Sequence, residues 1–177
     1  MNDFDKMDKL LQKFIKEIPT MENKDDLINR YMKSIDDNID PSIYLKQLKL
    51  SYKEFERWLH DLLNSEMISD EIVALNFGLF ENEYTIQLYI TGSKEWEFDD
   101  DDWACNNDYF PKGRYASINI YKELKILLEN EFDLGLFMTI ATTIILVNTY
   151  VTCYPNKLPQ NIKLATGFDD GDIYNLN

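Results

Sequence analysis

The sequence predicts an α+β fold in which N-terminal helices are followed by an antiparallel sheet packed on one or two helices. Three observations support this class. Apolar residues recur every three to four positions in the first third, alternate with polar residues in the middle, and form a long uncharged run near the C-terminus. We divide the 177 residues into a helical region, 1–65, and an acidic α+β region, 66–177, and expect one compact domain.

The N-terminal region is predicted to be a group of helices. The first ends before Pro19, and an apolar stripe at spacings of three and four residues is formed by Phe4, Met7, Leu11, Phe14 and Ile18. A second helix is predicted over 24–37. Ser51 and Glu54 match a capping box, in which each side chain satisfies the other's backbone N–H, so a further helix is predicted over about 52–64.

The middle of the chain is predicted to form a β-hairpin. Strands are predicted at about 72–80 and 84–91, because both stretches are rich in β-branched and aromatic residues and only a short polar segment separates them. In the second strand Ile86, Leu88 and Ile90 alternate with more polar residues, which is the period of a sheet with one buried face.

The C-terminal part is predicted to contain two helices and a second hairpin. A helix is predicted over 117–132, and the uncharged stretch that follows is predicted to be a buried helix at about 134–150. Its β-branched run leaves a strand as the alternative. Several threonines and the lack of flanking basic clusters argue against a membrane span. The Asp-Gly pair at 170–171 predicts the closing hairpin.

Charge is distributed unevenly along the chain. The net charge is −14, of which region 1–65 contributes −2 and region 66–177 contributes −12. Such a potential repels nucleic acids and anionic membranes, so neither is expected as a partner, and it favours a basic protein. Cys105, Cys153 and the single His60 match no disulfide framework or zinc pattern, which predicts no cofactor and a reduced, cytoplasmic setting.

The densest acidic stretch is a predicted loop from Ser93 to about Arg114, with seven acids among residues 95–108. Adjacent aspartates in an extended segment point to alternate sides, and the stretch lacks the D-x-D-x-D-G spacing of a calcium loop, so no metal site is predicted from it alone. A site that joins this loop to the acidic turn at 169–172 stays open as an alternative. No catalytic signature accompanies these acids, so no catalytic residue is predicted.

Aromatic residues are interleaved with these acids, and the combination predicts a recognition surface. Rigid rings supply contact area, carboxylates pair with Lys and Arg of a partner, and the loop's tryptophans are expected to dock it on the sheet. The predicted partner-binding residues are Glu95, Trp96, Glu97, Phe98, Asp99, Asp100, Asp101, Asp102, Asp108, Tyr109, Asp169, Asp170 and Asp172.

Two short motifs, "DDDWACNNDYFP" and "ATGFDDGDIYNL", resemble patterns in small acidic bacterial immunity-type proteins that accompany polymorphic or contact-delivered toxins. The resemblance covers about residues 84–177. It implies a non-enzymatic cytoplasmic protein that binds and blocks a basic toxin, often a nuclease. Two alternatives stay open: a small metal-dependent or carbohydrate-acting enzyme that uses the same acids, and a scaffold that forms a homodimer through its first helix.

Overall fold

A computed structural model of the chain describes residues 3–98 and 100–177, and within its first helix it describes side chains from residue 6 onward. The helices in this part of the chain are α1 (Asp3–Glu17), α2 (Lys24–Ile35), α3 (Ser42–Ser65), α4 (Ile120–Asn130) and α5 (Phe132–Cys153). The strands are β1 (Ala74–Glu81), β2 (Ile86–Ser93), β3 (Lys163–Phe168) and β4 (Ile173–Asn175). The α+β class and both predicted hairpins are confirmed.

The sheet differs from the prediction in one pairing. Its strand order is β2-β1-β3-β4, and β1 pairs in antiparallel fashion with β2 but in parallel with β3. The sheet is therefore mixed rather than antiparallel throughout. The parallel pair arises because α4 and α5 carry the chain back to the starting end of β1, as a crossover between parallel strands must.

Helix α5 is the centre of the core. It is long and apolar enough to cross a bilayer, with a mean hydropathy of 1.8, but 78% of its most apolar window is buried inside the protein. It contacts α1, α2, α3, α4 and β3. An all-round apolar helix of this kind needs neighbours on every side, and the rest of the fold supplies them.

The β-branched run of α5 is a helix rather than the alternative strand, and its buried threonines form hydrogen bonds within it. Thr139, Thr142 and Thr143 each donate a hydrogen bond to the carbonyl four residues earlier, over 2.6–3.2 Å. Tyr44 and Tyr121 each share a further hydrogen bond of 2.7 Å with one of these hydroxyls. The buried hydroxyls are thus satisfied, and the predicted helix is confirmed.

The predicted capping box at Ser51 and Glu54 is wrong. Helix α3 continues through both residues, and Ser51 is buried on its apolar side. The carboxylate of Glu54 instead accepts from the backbone and side chain of Asn119 at the start of α4, over 2.9 and 2.6 Å. The apolar stripe of α3 extends on both sides of Ser51, so packing overrides the local signal.

The apolar stripe of α1 is buried within the same chain. Leu11 and Phe14 are fully buried, and the Phe14 ring lies edge-on to Phe137 of α5 at a centroid distance of 5.6 Å. The side chain of Phe4 lies outside the described part. The described residues of this stripe thus pack inside the chain, and dimerisation through the first helix stays a prediction.

Candidate functional site

The outer face of the sheet carries the candidate site. Leu75, Phe77 and Leu79 of β1 point into the helical core, so the alternate residues of that strand point to the opposite face. On this outer face Asn76 of β1 lies directly opposite Thr91 of β2. The acidic loop and the β3–β4 turn rise around these residues.

The acidic loop is fixed to the sheet by Trp103. The D-W-A-C residues form a short 3₁₀ helix, Asp102–Cys105, which buries the Trp103 ring against Ala74 and Ala165. At the loop's base the buried Ser93 hydroxyl accepts from the backbone N–H of Glu95 and from the side chain of Asn106, both over 3.0 Å. The expected docking of the loop by a tryptophan is confirmed for Trp103.

The acidic loop forms one wall of the site, and residues 109–116 form a second. This segment runs along the edge of β2 that does not pair with β1. Tyr109 and Gly92 exchange backbone hydrogen bonds of 2.9 and 3.0 Å, and the N–H of Ile90 donates to the carbonyl of Arg114 over 3.1 Å. The Arg114 guanidinium lies 3.8 Å from the ring centroid of Phe110 and 4.5 Å from that of Tyr115. The wall therefore already holds one guanidinium against aromatic rings.

Tyr109 cannot supply the contact area predicted for it. Its side chain is only 7% exposed, and its hydroxyl donates to the carbonyl of Glu66 over 2.7 Å. Burial, followed by the nearby Glu66, raises the pKa of Tyr109 to about 12. Asp108 is exposed but also has a local role, since its carboxylate accepts from the backbone N–H of Lys94 over 3.0 Å.

The third wall is the β3–β4 turn, and a tyrosine ties it to β2. The Tyr89 hydroxyl donates to the carboxylate of Asp169 on the far side of β1. Its ring crosses directly over Gly78, where a Cβ atom would lie 2.2 Å from the Tyr89 Cζ. Only glycine at this position leaves room for the ring. Burial, followed by the hydrogen bond to Asp169, raises the pKa of Tyr89.

These walls enclose an open cleft of about 590 Å³, which we call the sheet cleft. Its floor consists of Asn76, Phe80, Tyr89 and Thr91. Its walls include Asp101, Asp102, Arg114, Tyr115, Asp169 and Ile173. The cleft therefore combines aromatic rings with three carboxylates and one guanidinium.

Two polar side chains on the floor each have one buried oxygen without a hydrogen-bond partner among the described residues. Asn76 and Thr91 are each 3% exposed, and among the described residues neither Asn76 Oδ1 nor Thr91 Oγ1 has a hydrogen-bond partner. Buried polar atoms are normally satisfied, and an unpaired one destabilises the fold. Both side chains line the sheet cleft, as does Arg114, whose Nε is likewise buried without a hydrogen-bond partner among the described residues.

The fold brings the two acidic turns together at this cleft. Burial raises the pKa of Asp101, the carboxylates of Asp172, Asp100 and Asp102 raise it further, and a hydrogen bond from the backbone of Ile173 opposes them. Like charges that are crowded in this way disfavour ionisation, and a cation placed among them reverses the effect. The convergence of residues 100–102 with 169–172 is a property of the tertiary fold.

The other predicted residues are spread around this centre. A neighbouring cleft of about 590 Å³, the loop cleft, is lined by Glu95, Trp96, Glu97, Asp100, Asp102 and Trp103. Phe98 is 70% exposed, and Asp170 and Asp172 line a separate apolar groove with Phe132 and Phe168. Asp99 lies outside the described residues. Because Asp102 lines both the sheet cleft and the loop cleft, the two clefts form parts of one surface.

The floor residues and Arg114 were missed by the sequence prediction. A usable signal existed for Asn76 and Thr91, since each is a polar residue on the outward side of a strand's alternation. No comparable signal marks Arg114, whose role depends on the distant edge of β2. Within residues 3–98 and 100–177, no group of three or more His, Cys, Asp or Glu side chains is placed to hold a metal ion.

Comparison of the chain with protein-family models, with curated proteins and with solved structures finds no match. The resemblance to immunity proteins therefore remains a prediction.

Proposed function

We propose that this chain is a non-enzymatic binding protein whose acidic surface holds a basic protein partner. The observation that carries the proposal is the approach of two acidic segments: Asp101, Asp102 and Asp169 line the sheet cleft, and Asp172 lies close enough to Asp101 to raise its pKa. The acidic surface comprises these residues together with Glu95 and Glu97 at the loop cleft. Carboxylates displayed in a concave surface concentrate the negative potential and accelerate the approach of a cation.

The way the loop is held supports binding over a purely solvating role. A solvating acidic run needs no fixed geometry, whereas Trp103 and Ser93 fix this loop in one position on the sheet. Pre-ordered contact residues lose less entropy when a partner binds. In the resemblance-based form of the proposal, the partner is a basic toxin and the chain acts in the cytoplasm as its immunity protein.

The proposal is tested by association kinetics with a lysine- and arginine-rich twelve-residue peptide as the probe. Replacing Asp100, Asp101 and Asp102 with asparagine is expected to slow association about tenfold at low ionic strength and much less in 0.5 M salt. The matched control removes three exposed acids elsewhere, as Glu22→Gln/Asp37→Asn/Glu123→Gln. Equal slowing by both triple variants would show a non-specific charge effect and count against the proposed surface.

A further inference from the structure

We propose that the sheet cleft is the binding site for one arginine side chain of the basic partner. This inference rests on the proposed function and deepens it, because it assigns the specific contact within a broad acidic surface. The carrying observation is independent of acidity: two oxygen atoms on the cleft floor, Asn76 Oδ1 and Thr91 Oγ1, are buried without partners among the described residues.

Asn76 and Thr91 are neighbours on the cleft floor because they are directly opposed across β1 and β2. Directly opposed residues of an antiparallel pair have Cβ atoms about 5 Å apart. A guanidinium presents several N–H donors in one plane and can reach two acceptors at that spacing. An ammonium group is a point donor and matches the pair less well.

The walls of the sheet cleft also suit a guanidinium group. Asp101 and Asp169 flank the floor with carboxylates, and Tyr89 and Tyr115 add ring faces and edges. Guanidinium groups favour both environments, because they pair with carboxylates and stack on aromatic rings. Arg114 shows that this wall accommodates a guanidinium, since its own is held against Phe110 and Tyr115. Three lining carboxylates against one arginine leave the cleft negative.

The cleft also has ample room for a partner side chain. Its volume of about 590 Å³ lies within the range of about 300–1,000 Å³ that is typical of ligand clefts. It is open to solvent, so an arginine can enter from a docked partner while the partner's remaining basic residues face Glu95, Glu97 and Asp100 of the loop cleft.

The test uses three nine-residue probe peptides with lysines flanking a variable central residue, which is arginine, lysine or citrulline. Citrulline keeps the planar shape of arginine but lacks its charge. Calorimetric titration of the wild-type protein is expected to show binding of the arginine peptide about tenfold tighter than binding of the other two, the loss expected for one hydrogen bond to a charged group.

Two protein variants locate the preference. Asn76→Leu/Thr91→Val keeps the shape of the floor and removes its acceptors, so it should abolish the preference for arginine. Glu95→Gln/Glu97→Gln neutralises acids outside the sheet cleft, so it should weaken all three peptides alike and preserve the preference. Thermal denaturation of each variant establishes that it is folded.

The outcomes separate this inference from the proposed function. If the wild-type protein binds the three peptides equally, or if Asn76→Leu/Thr91→Val retains the preference for arginine, the proposed arginine-binding site is refuted. The proposed binding of a basic partner by the acidic surface is then unaffected. If the citrulline peptide binds as tightly as the arginine peptide, the cleft takes a neutral planar group instead. If no peptide binds at low ionic strength, the proposed function fails and the inference fails with it. The comparison on wild-type protein is decisive even if a variant does not fold.

Discussion

Gly78 should be the position at which a single methyl group disturbs the outer face most clearly. A Cβ atom there would lie 2.2 Å from Tyr89 Cζ and 2.3 Å from its hydroxyl oxygen, whereas carbon atoms in contact prefer about 3.5–4.0 Å. The Tyr89 ring must therefore move by more than 1 Å, roughly the difference between these distances. That displacement breaks its hydrogen bond to Asp169.

The magnitude follows from two opposing effects. Loss of a hydrogen bond to a carboxylate costs about 1.5–3 kcal/mol, and the lower end applies because Asp169 is exposed. Replacing glycine by alanine within a strand recovers about 0.5–1 kcal/mol of backbone entropy. Gly78→Ala should therefore lower the free energy of unfolding by about 0.5–1 kcal/mol.

Urea denaturation in two backgrounds tests this reasoning. In the wild-type background Gly78→Ala should destabilise the fold. In a Tyr89→Ala background the ring is gone, only the entropy gain remains, and the same substitution should stabilise by about 0.5 kcal/mol. The change of sign is the diagnostic result. Stabilisation by Gly78→Ala in both backgrounds would refute the placement of the ring across β1.

Three further substitutions test other parts of the structure. Gly135→Ala should lower the free energy of unfolding by about 3 kcal/mol in thermal denaturation, because its Cβ would lie 2.2 Å from the backbone of α4; a loss below 1 kcal/mol would contradict that close approach. The Glu66 carboxylate accepts from backbone N–H groups at 112–113, over 2.7 and 2.9 Å, which lowers its pKa. The stabilisation from this ionised carboxylate is therefore complete above the ordinary glutamate pKa and is lost as pH falls through the lowered pKa. Glu66→Gln should therefore reduce the loss of unfolding free energy at acid pH, and an unchanged pH profile would contradict the hydrogen bonds to residues 112–113. Asn76→Leu/Thr91→Val should raise the free energy of unfolding in urea by about 1–2 kcal/mol, since two unpaired oxygens are removed; a decrease would show that they are satisfied in the free protein.

The fold class was predictable because it depends on local patterns. The alternation in β2 and the stripe of α1 each reflect burial of one face, and the structure buries Ile86, Leu88, Ile90 and Leu11 as expected. The parallel pairing of β1 with β3 was not predictable in this way. It joins strands that are far apart in the chain, and neither strand's own residues specify that neighbour.

The candidate site was predictable in chemistry but not in geometry. The acids and aromatic rings of residues 95–102 pointed to a recognition surface, whereas their convergence with 169–172 depends on the sheet order. Tyr109 shows the limit of composition as a guide: a ring beside acidic residues looked like contact area, yet the antiparallel contact with Gly92 places it inside. The capping-box motif at Ser51 failed for the same reason, because packing outweighed a local signal.

Mapping the bound surface by nuclear magnetic resonance tests the central claim most directly. Titration of the ¹⁵N-labelled protein with the arginine-centred peptide should shift backbone amides in two separate segments together, residues 95–107 and 169–173. It should also shift the side-chain amide of Asn76, while amides of α1 and α2 stay in place. Shifts confined to one acidic segment, or spread over the helical region, would contradict a single surface formed by the two turns.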